Sequence, residues 1–171
     1  MKNLILTTII TLVSFVGVFS QETFVGTQYL RVNPDIRRPN LRFDRSSDNL
    51  GVVASLTNYK NNYFGLTAEG SANFRGGKSE NQLYTVLGGV TLKSRKGKSI
   101  QPFVKGLAGI SILRTSFNQA KTDVGLAFKP SVGFDVGKGK YKWRVVEVGY
   151  LNTNFYGKYQ NNLSLSTGLV F

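Results

Sequence analysis

The sequence predicts an all-β chain, an eight-stranded antiparallel up-and-down transmembrane β-barrel, and three observations carry that expectation. Apolar residues alternate with small or polar ones in run after run, which is the period of a strand with two unlike faces. The runs are joined hairpin to hairpin, with no helical stripe of apolar residues between them. The last run, Asn161 to Phe171, places Leu163, Leu165, Thr167, Leu169 and Phe171 on one face and Asn162, Ser164, Ser166, Gly168 and Val170 on the other. No later run is there to cover the edge of that strand, so it is expected to pair with the first strand and close a barrel.

Length and composition bound the rest. A chain of 171 residues is one domain by size. Residues 1–20 read as a secretory signal, with Lys2 as the positive start, Leu4 to Phe19 as the apolar core and Val18-Phe19-Ser20 at the cleavage site. The competing reading, a membrane-anchoring helix, is weakened because that core is shorter than the ~20 residues needed to span. Removing 20 of the 171 residues leaves 151 for the barrel, residues 21–171. The chain has no cysteine, hence no disulfide, thiolate metal site or lipid-anchored N-terminus. Its net charge is +13, or +12 once Lys2 is gone, which suggests an anionic partner. For an exported chain that partner is expected to be lipid rather than nucleic acid.

The strands follow in order. Phe24 to Val32 is the first, ended by Asn33-Pro34. A long aperiodic loop to about Asp48 holds Arg37, Arg38, Arg42 and Arg45. The second strand, Gly51 to Tyr59, sets Val52, Ala54 and Leu56 against Ser55 and Thr57, and Lys60-Asn61-Asn62 turns the chain. The third, Phe64 to Phe74, alternates most cleanly. The fourth runs through Tyr84, Val86, Gly88, Val90 and Leu92, its second face including Lys93. After the basic turn Arg95-Lys96-Gly97-Lys98, the fifth spans Ile100 to Arg114, where Leu107 and Leu113 disturb the apolar–polar pattern. The sixth puts Val124 to Val136, in steps of two, on one face and Lys129 and Asp135 on the other. Pro130 inside it predicts a bulge or a missing ladder bond. The seventh spans Lys142 to Asn154, with Val146, Val148 and Tyr150 opposite Glu147, Gly149 and Thr153, and a loop around Gly157-Lys158 leads to the last.

Alternation alone allows either face to point outward. The polar faces are rich in Gly, Ser, Thr and Ala, which suit the narrow interior of eight strands. Connections alternate between long (33–48, 75–81, 115–121, 155–160) and short (60–62, 95–99, 138–141), the habit of membrane barrels. Aromatics also sort by level. Tyr59, Tyr63, Phe64, Phe103, Phe134, Tyr141, Trp143 and Phe171 lie toward the short turns, and Tyr29, Phe74, Tyr84, Phe155 and Tyr156 toward the long loops. Two aromatic girdles around an apolar band are what a bilayer requires. The apolar face is therefore expected to face lipid, and a soluble carrier of lipocalin type becomes the lesser reading.

Phe24 to Asn33, Val53 to Phe74 and Val132 to Phe171 carry a resemblance. The closing pattern runs from Arg144 through Val148-Gly-Tyr-Leu and Thr153-Asn-Phe to Gln160-Asn-Asn-Leu-Ser-Leu-Ser-Thr-Gly-Leu-Val-Phe. These stretches resemble the bacterial outer-membrane β-barrel domain family, the small OmpA-like or opacity-type barrels. Gly149 stands where an acidic residue often precedes the tyrosine, and Gly168 lies two positions later than in the usual C-terminal signal. The resemblance implies insertion by the outer-membrane assembly machinery, which recognises the last strand, here through Leu169 and Phe171. It implies no activity.

The chain has no histidine and no cysteine, which removes Ser–His hydrolysis, cysteine nucleophiles and imidazole or thiolate metal sites, so no enzyme and no cofactor are expected. A carboxylate pair, Glu69 with Glu147, is the residual catalytic reading. The more ordinary account joins Glu69, Lys105, Lys129 and Glu147, all near mid-strand on polar faces, into a salt-bridge network plugging the lumen. The same charges switching partners would make a small gated channel. Arg37, Arg38, Arg42 and Arg45 are candidates for pairing with lipopolysaccharide phosphates, against a merely solvated loop. Arg95, Lys96, Lys98, Lys138, Lys140 and Lys142 would meet anionic headgroups or the cell wall. Nucleic-acid binding would need aromatics on the same face as the cations, and a monomeric barrel is expected.

Overall fold

A computed structural model describes residues 22–32, 47–75, 81–94, 99–115, 121–155 and 158–171. Its strands are β1 (Glu22–Val32), β2 (Ser47–Tyr59), β3 (Phe64–Phe74), β4 (Asn81–Lys93), β5 (Ile100–Thr115), β6 (Lys121–Val136), β7 (Lys142–Phe155) and β8 (Lys158–Val170). Each pairs antiparallel with its neighbours, and β1 pairs with β8 from Phe24↔Val170 to Arg31↔Leu163, so the sheet closes and has no free edge. Beyond β8, Phe171 and Thr23 exchange two backbone hydrogen bonds of 2.6 and 2.8 Å.

Most strands run further than the turn residues suggest. Two of them reach more than one residue into segments that composition assigns to loops. β2 begins at Ser47, with Asn49 buried between the exposed Asp48 and Leu50. β8 begins at Lys158 and pairs with β7 as far as Phe155↔Lys158, so the expected 155–160 loop shrinks to residues 156–157. Tyr159 and Gln160 continue the exposed–buried alternation, and that periodicity outweighs the Gly157 break. At the other end Asn61 Oδ1 accepts the amides of Tyr63 (2.9 Å) and Phe64 (2.7 Å), making the β2–β3 turn an Asx turn.

The outward wall is apolar. Leu50, Val52, Leu66, Val86, Leu92, Ile110, Leu126, Val132 and Leu169 are among the exposed side chains. Tyr63, Tyr141, Trp143 and Phe171 are exposed at the short-turn end, and Phe74 and Tyr159 at the other. Phe74 and Tyr84 meet edge to face at 6.0 Å, and Tyr29 donates to Asp48 Oδ1 at 2.6 Å. Three aromatics expected in the girdles point inward instead: Tyr59, Phe103 and Phe155 are buried. Each shares its phase with inward residues of its own strand, Phe103 with Gln101 and Lys105, so it packs in the lumen although its level is that of a girdle. Tyr156 lies outside the described residues.

The lumen is layered. Its long-loop half is filled by Leu30, Leu83, Leu87, Leu107, Ala127, Leu151 and Phe155, with Val32 and Leu113 packed against them. Leu107 and Leu113 thus keep the alternation of β5; what they break is the expectation that inward residues are polar. Toward the short turns Phe24, Val53 and Val170 form a second apolar cluster. The ladder between β6 and β7 is interrupted from Phe128↔Asn152 to Ser131↔Gly149, across Pro130, which has no amide hydrogen to donate.

Candidate functional site: the charge network of the lumen

A β-bulge sets the geometry of the site. Strict alternation along β7 would put Arg144 on the outward face with Val146 and Val148. Register runs Arg144↔Gly168 and then Glu147↔Ser166, so Val145 and Val146 together oppose Thr167. The extra residue shifts the phase, and Arg144 and Glu147, three apart, both point into the lumen. Thr167 closes the bulge by donating to the Arg144 carbonyl (3.0 Å) while accepting the Trp143 indole N–H (3.0 Å).

Two tiers of charge meet at Arg144. Near the short turns, Lys93 Nζ lies 2.6 Å from both Glu22 Oε2 and Asp135 Oδ2. Arg144 donates from Nε to Asp135 Oδ1 (2.9 Å) and from Nη1 to Glu147 Oε2 (2.8 Å), joining the tiers. At mid-barrel, Lys105 Nζ is 2.9 Å from Glu147 Oε2 and 3.4 Å from Glu69 Oε2, and Lys129 Nζ is 2.6 Å from Glu69 Oε1. Ser131 donates to Glu147 Oε1 at 2.9 Å, and Tyr59 to Glu22 Oε1 at 3.3 Å. The Arg144 guanidinium carbon sits 4.1 Å from the centre of the Phe24 ring and 4.3 Å from that of Phe103. A planar cation between two rings keeps favourable contact on both faces after losing water.

The balance of charge explains how such a cluster is tolerated. Lys93, Lys105, Lys129 and Arg144 oppose Glu22, Glu69, Asp135 and Glu147, and all eight are buried. Burying charge costs several kcal/mol per ion unless partners and hydrogen bonds replace water. Each of the four carboxylates contacts at least two cations within 4.0 Å. Lys142 adds a third cation to Glu22 at the mouth, with Nζ 3.2 Å from Oε2.

Gly149 and Gly168 have local reasons for being glycine. A Cβ on Gly149 would come within 2.9 Å of Lys129 Cε and 2.6 Å of Ser164 Oγ, displacing the stem that reaches Glu69. A Cβ on Gly168 would lie 2.3 Å from the Val25 carbonyl oxygen and 2.4 Å from Gly26 Cα, where β8 crosses β1. At both positions a side chain would collide with atoms already in place, those of the lumen at Gly149 and those of the β1 backbone at Gly168.

Of the sequence candidates, Glu69, Lys105, Lys129 and Glu147 come together as one tier. Lys105 and Lys129 each contact both glutamates, so the four side chains form one ion-pair lattice. Glu22, Lys93, Asp135 and Arg144 form the tier that sequence reasoning missed. Lys93 and Asp135 carried a signal, since both already lay on inward faces. Glu22 required extending the even phase of β1 back from Phe24, and Arg144 required the bulge. Arg37, Arg38, Arg42 and Arg45 lie outside the described residues, as do Arg95, Lys96 and Lys98. Leu169 and Phe171 are exposed on the outer wall. Among the described residues no cluster of three or more acidic side chains could hold a metal ion.

No family model matches the chain, and no curated protein matches it in sequence. Solved structures with the same fold do. Neisserial surface protein A is 9% identical with a TM-score of 0.67, over 87% of this chain and 94% of that one. The attachment invasion locus protein Ail of Yersinia pestis is 14% identical with a TM-score of 0.52, over 88% and 98%. The N-terminal β-barrel domain of Pseudomonas aeruginosa OprF is 10% identical with a TM-score of 0.53, over 89% and 98%. At these identities the likeness is one of fold, and the fold is that of small eight-stranded outer-membrane barrels.

Proposed function

We propose that this chain is an integral protein of the bacterial outer membrane with a structural or surface-interaction role and no catalysis. The observation that carries this reading is the inverted barrel. Its wall is lined outside with Leu, Val, Ile and Phe and inside with paired charges. In water an apolar surface that encircles the molecule would drive aggregation, whereas hydrocarbon solvates it. The fold shared with outer-membrane barrels supports the same reading. Export by a signal in residues 1–20 and insertion by the barrel-assembly machinery belong to it. So do external loops that contact lipid or extracellular ligands, with Arg37, Arg38, Arg42 and Arg45 meeting lipopolysaccharide phosphates.

A gated channel is the weaker alternative, because the lumen is filled at two heights, by the charge tiers and by the Leu–Phe layer. A soluble carrier would need its apolar side chains turned inward. The test is fractionation of outer membranes, with gel migration that shifts on boiling as the sign of a folded barrel. Recovery of the mature chain as a soluble monomer in detergent-free buffer would rule the reading out.

Within this reading Leu169 and Phe171 form the assembly signal. Deleting Phe171 removes only two inter-strand backbone bonds and one outward ring. The expected result is a severalfold loss of outer-membrane protein in cells, with a nearly normal boiling shift for chains refolded in detergent. Wild-type membrane levels for the truncation would discard the signal role.

A further inference from the structure

Charge on the outer surface is distributed unequally between the two ends. The eight buried lumen charges cancel, so the whole excess of the mature chain lies outside the lumen. At the short-turn end Lys60, Lys138 and Lys140 are exposed. Among the described residues the acidic side chains at this end are Glu22 and Asp135, and both are buried in ion pairs. Asp48 and Asp123 lie at the opposite end, and Asp35, Asp44 and Glu80 fall in the sequence of the long connections. The short-turn end therefore presents cations with no exposed acidic side chain beside them, among the described residues.

These cations also stand at a defined height. Lys60 precedes the exposed Tyr63, Lys138 and Lys140 precede the exposed Tyr141 and Trp143, and Lys140 Nζ is 5.8 Å from the centre of the Tyr141 ring. Aromatic side chains of a membrane barrel settle at headgroup level, and a lysine a few residues away can extend its stem along the apolar wall and leave its ammonium among phosphates. Lys138 and Lys140 are both exposed and flank Gly139, whose φ of 79° is the left-handed conformation that a tight turn takes most easily at glycine.

We infer that the short-turn rim is an interaction surface for the phosphates of anionic phospholipid headgroups in the leaflet it faces. The inference rests on the membrane reading above and adds a lipid selectivity to it. Anionic lipid is favoured over a cell-wall polymer because the cations are interleaved with lipid-level aromatics. Attraction of a lysine to an anionic surface falls off within about a Debye length, so cations held at headgroup height use it fully.

The chain supplies its own reporter. Trp143 is its only tryptophan, exposed on the outer wall beside this rim. The full mature chain, refolded into bilayers, is titrated with brominated phosphatidylglycerol or brominated phosphatidylcholine, and quenching of Trp143 gives the relative occupancy of the two lipids. The expected result is a preference for phosphatidylglycerol of about three- to tenfold. It should collapse toward one at 1 M salt and in Lys60→Gln/Lys138→Gln/Lys140→Gln, whose boiling shift stays normal. Equal quenching by both lipids in the native chain overturns the inference while leaving the membrane reading intact. A preference unchanged in the triple variant also overturns it, as does co-sedimentation with isolated cell wall that alone responds to the substitutions. Failure of either lipid to quench Trp143 would overturn the membrane reading itself.

Discussion

Replacing Arg144 by leucine is expected to destabilise the barrel by about 3–5 kcal/mol, the range for breaking a buried ion cluster by removing one partner. The substitution fills space but leaves Asp135 with Lys93 alone and removes the link between the tiers. The lumen then carries four carboxylates against Lys93, Lys105 and Lys129, with Lys142 only at its mouth. Arg144→Lys keeps the charge but offers a single nitrogen where the guanidinium reaches Asp135 through Nε and Glu147 through Nη1, and it lacks the delocalised plane that meets Phe24 and Phe103, so a loss of about 1.5–3 kcal/mol is expected. Denaturant unfolding of the refolded barrel, followed through the adjacent Trp143, measures both. An exposed control, Arg114→Leu, should stay within about 0.5 kcal/mol of wild type. A loss below 1 kcal/mol for Arg144→Leu would mean that water, not the arginine, solvates these carboxylates.

That expectation depends on the feature hardest to read in the sequence. Period-two alternation located all eight strands, their order and their outward faces, because a closed barrel leaves each strand little freedom beyond its phase. It could not place Arg144, since a bulge shifts phase with no composition signal at Val145-Val146. Glu22 was hidden for another reason: turn-like and polar residues blur the start of β1, and the alternation was legible only from Phe24 onward. The buried aromatics show where level and phase compete. Tyr59, Phe103 and Phe155 sit at girdle heights, but they share phase with inward residues, and phase decides the direction of a side chain. Leu107 shows the same thing within an apolar layer, since an inward leucine looks like a broken pattern only against a lumen that is polar throughout. Arg37, Arg38, Arg42 and Arg45 have no periodicity to read, so sequence gives their chemistry and not their placement.

Glu69→Leu is the second large expected effect, and it separates a plug from a conducting path. Glu69 faces Lys129 at 2.6 Å and Lys105 at 3.4 Å, so its removal leaves two buried ammonium groups sharing Glu147. A loss of about 3–5 kcal/mol is expected from the single change. Adding Lys129→Met removes the surplus cation and leaves Glu147 paired with Lys105 and Arg144, their charge balanced by the tier near the short turns. Replacing a buried pair by apolar groups of similar volume is often neutral or stabilising, so the double variant should return to within about 1 kcal/mol of the native barrel. If Leu30, Leu87, Leu107 and Phe155, which pack as one cluster, plug the lumen independently of the charges, planar-bilayer recordings on the same three proteins should show no discrete conductance. Native conductance abolished in the double variant would make the charges an ion path. A double variant as unstable as Glu69→Leu would mean that this pair does more than neutralise charge in a packed interior.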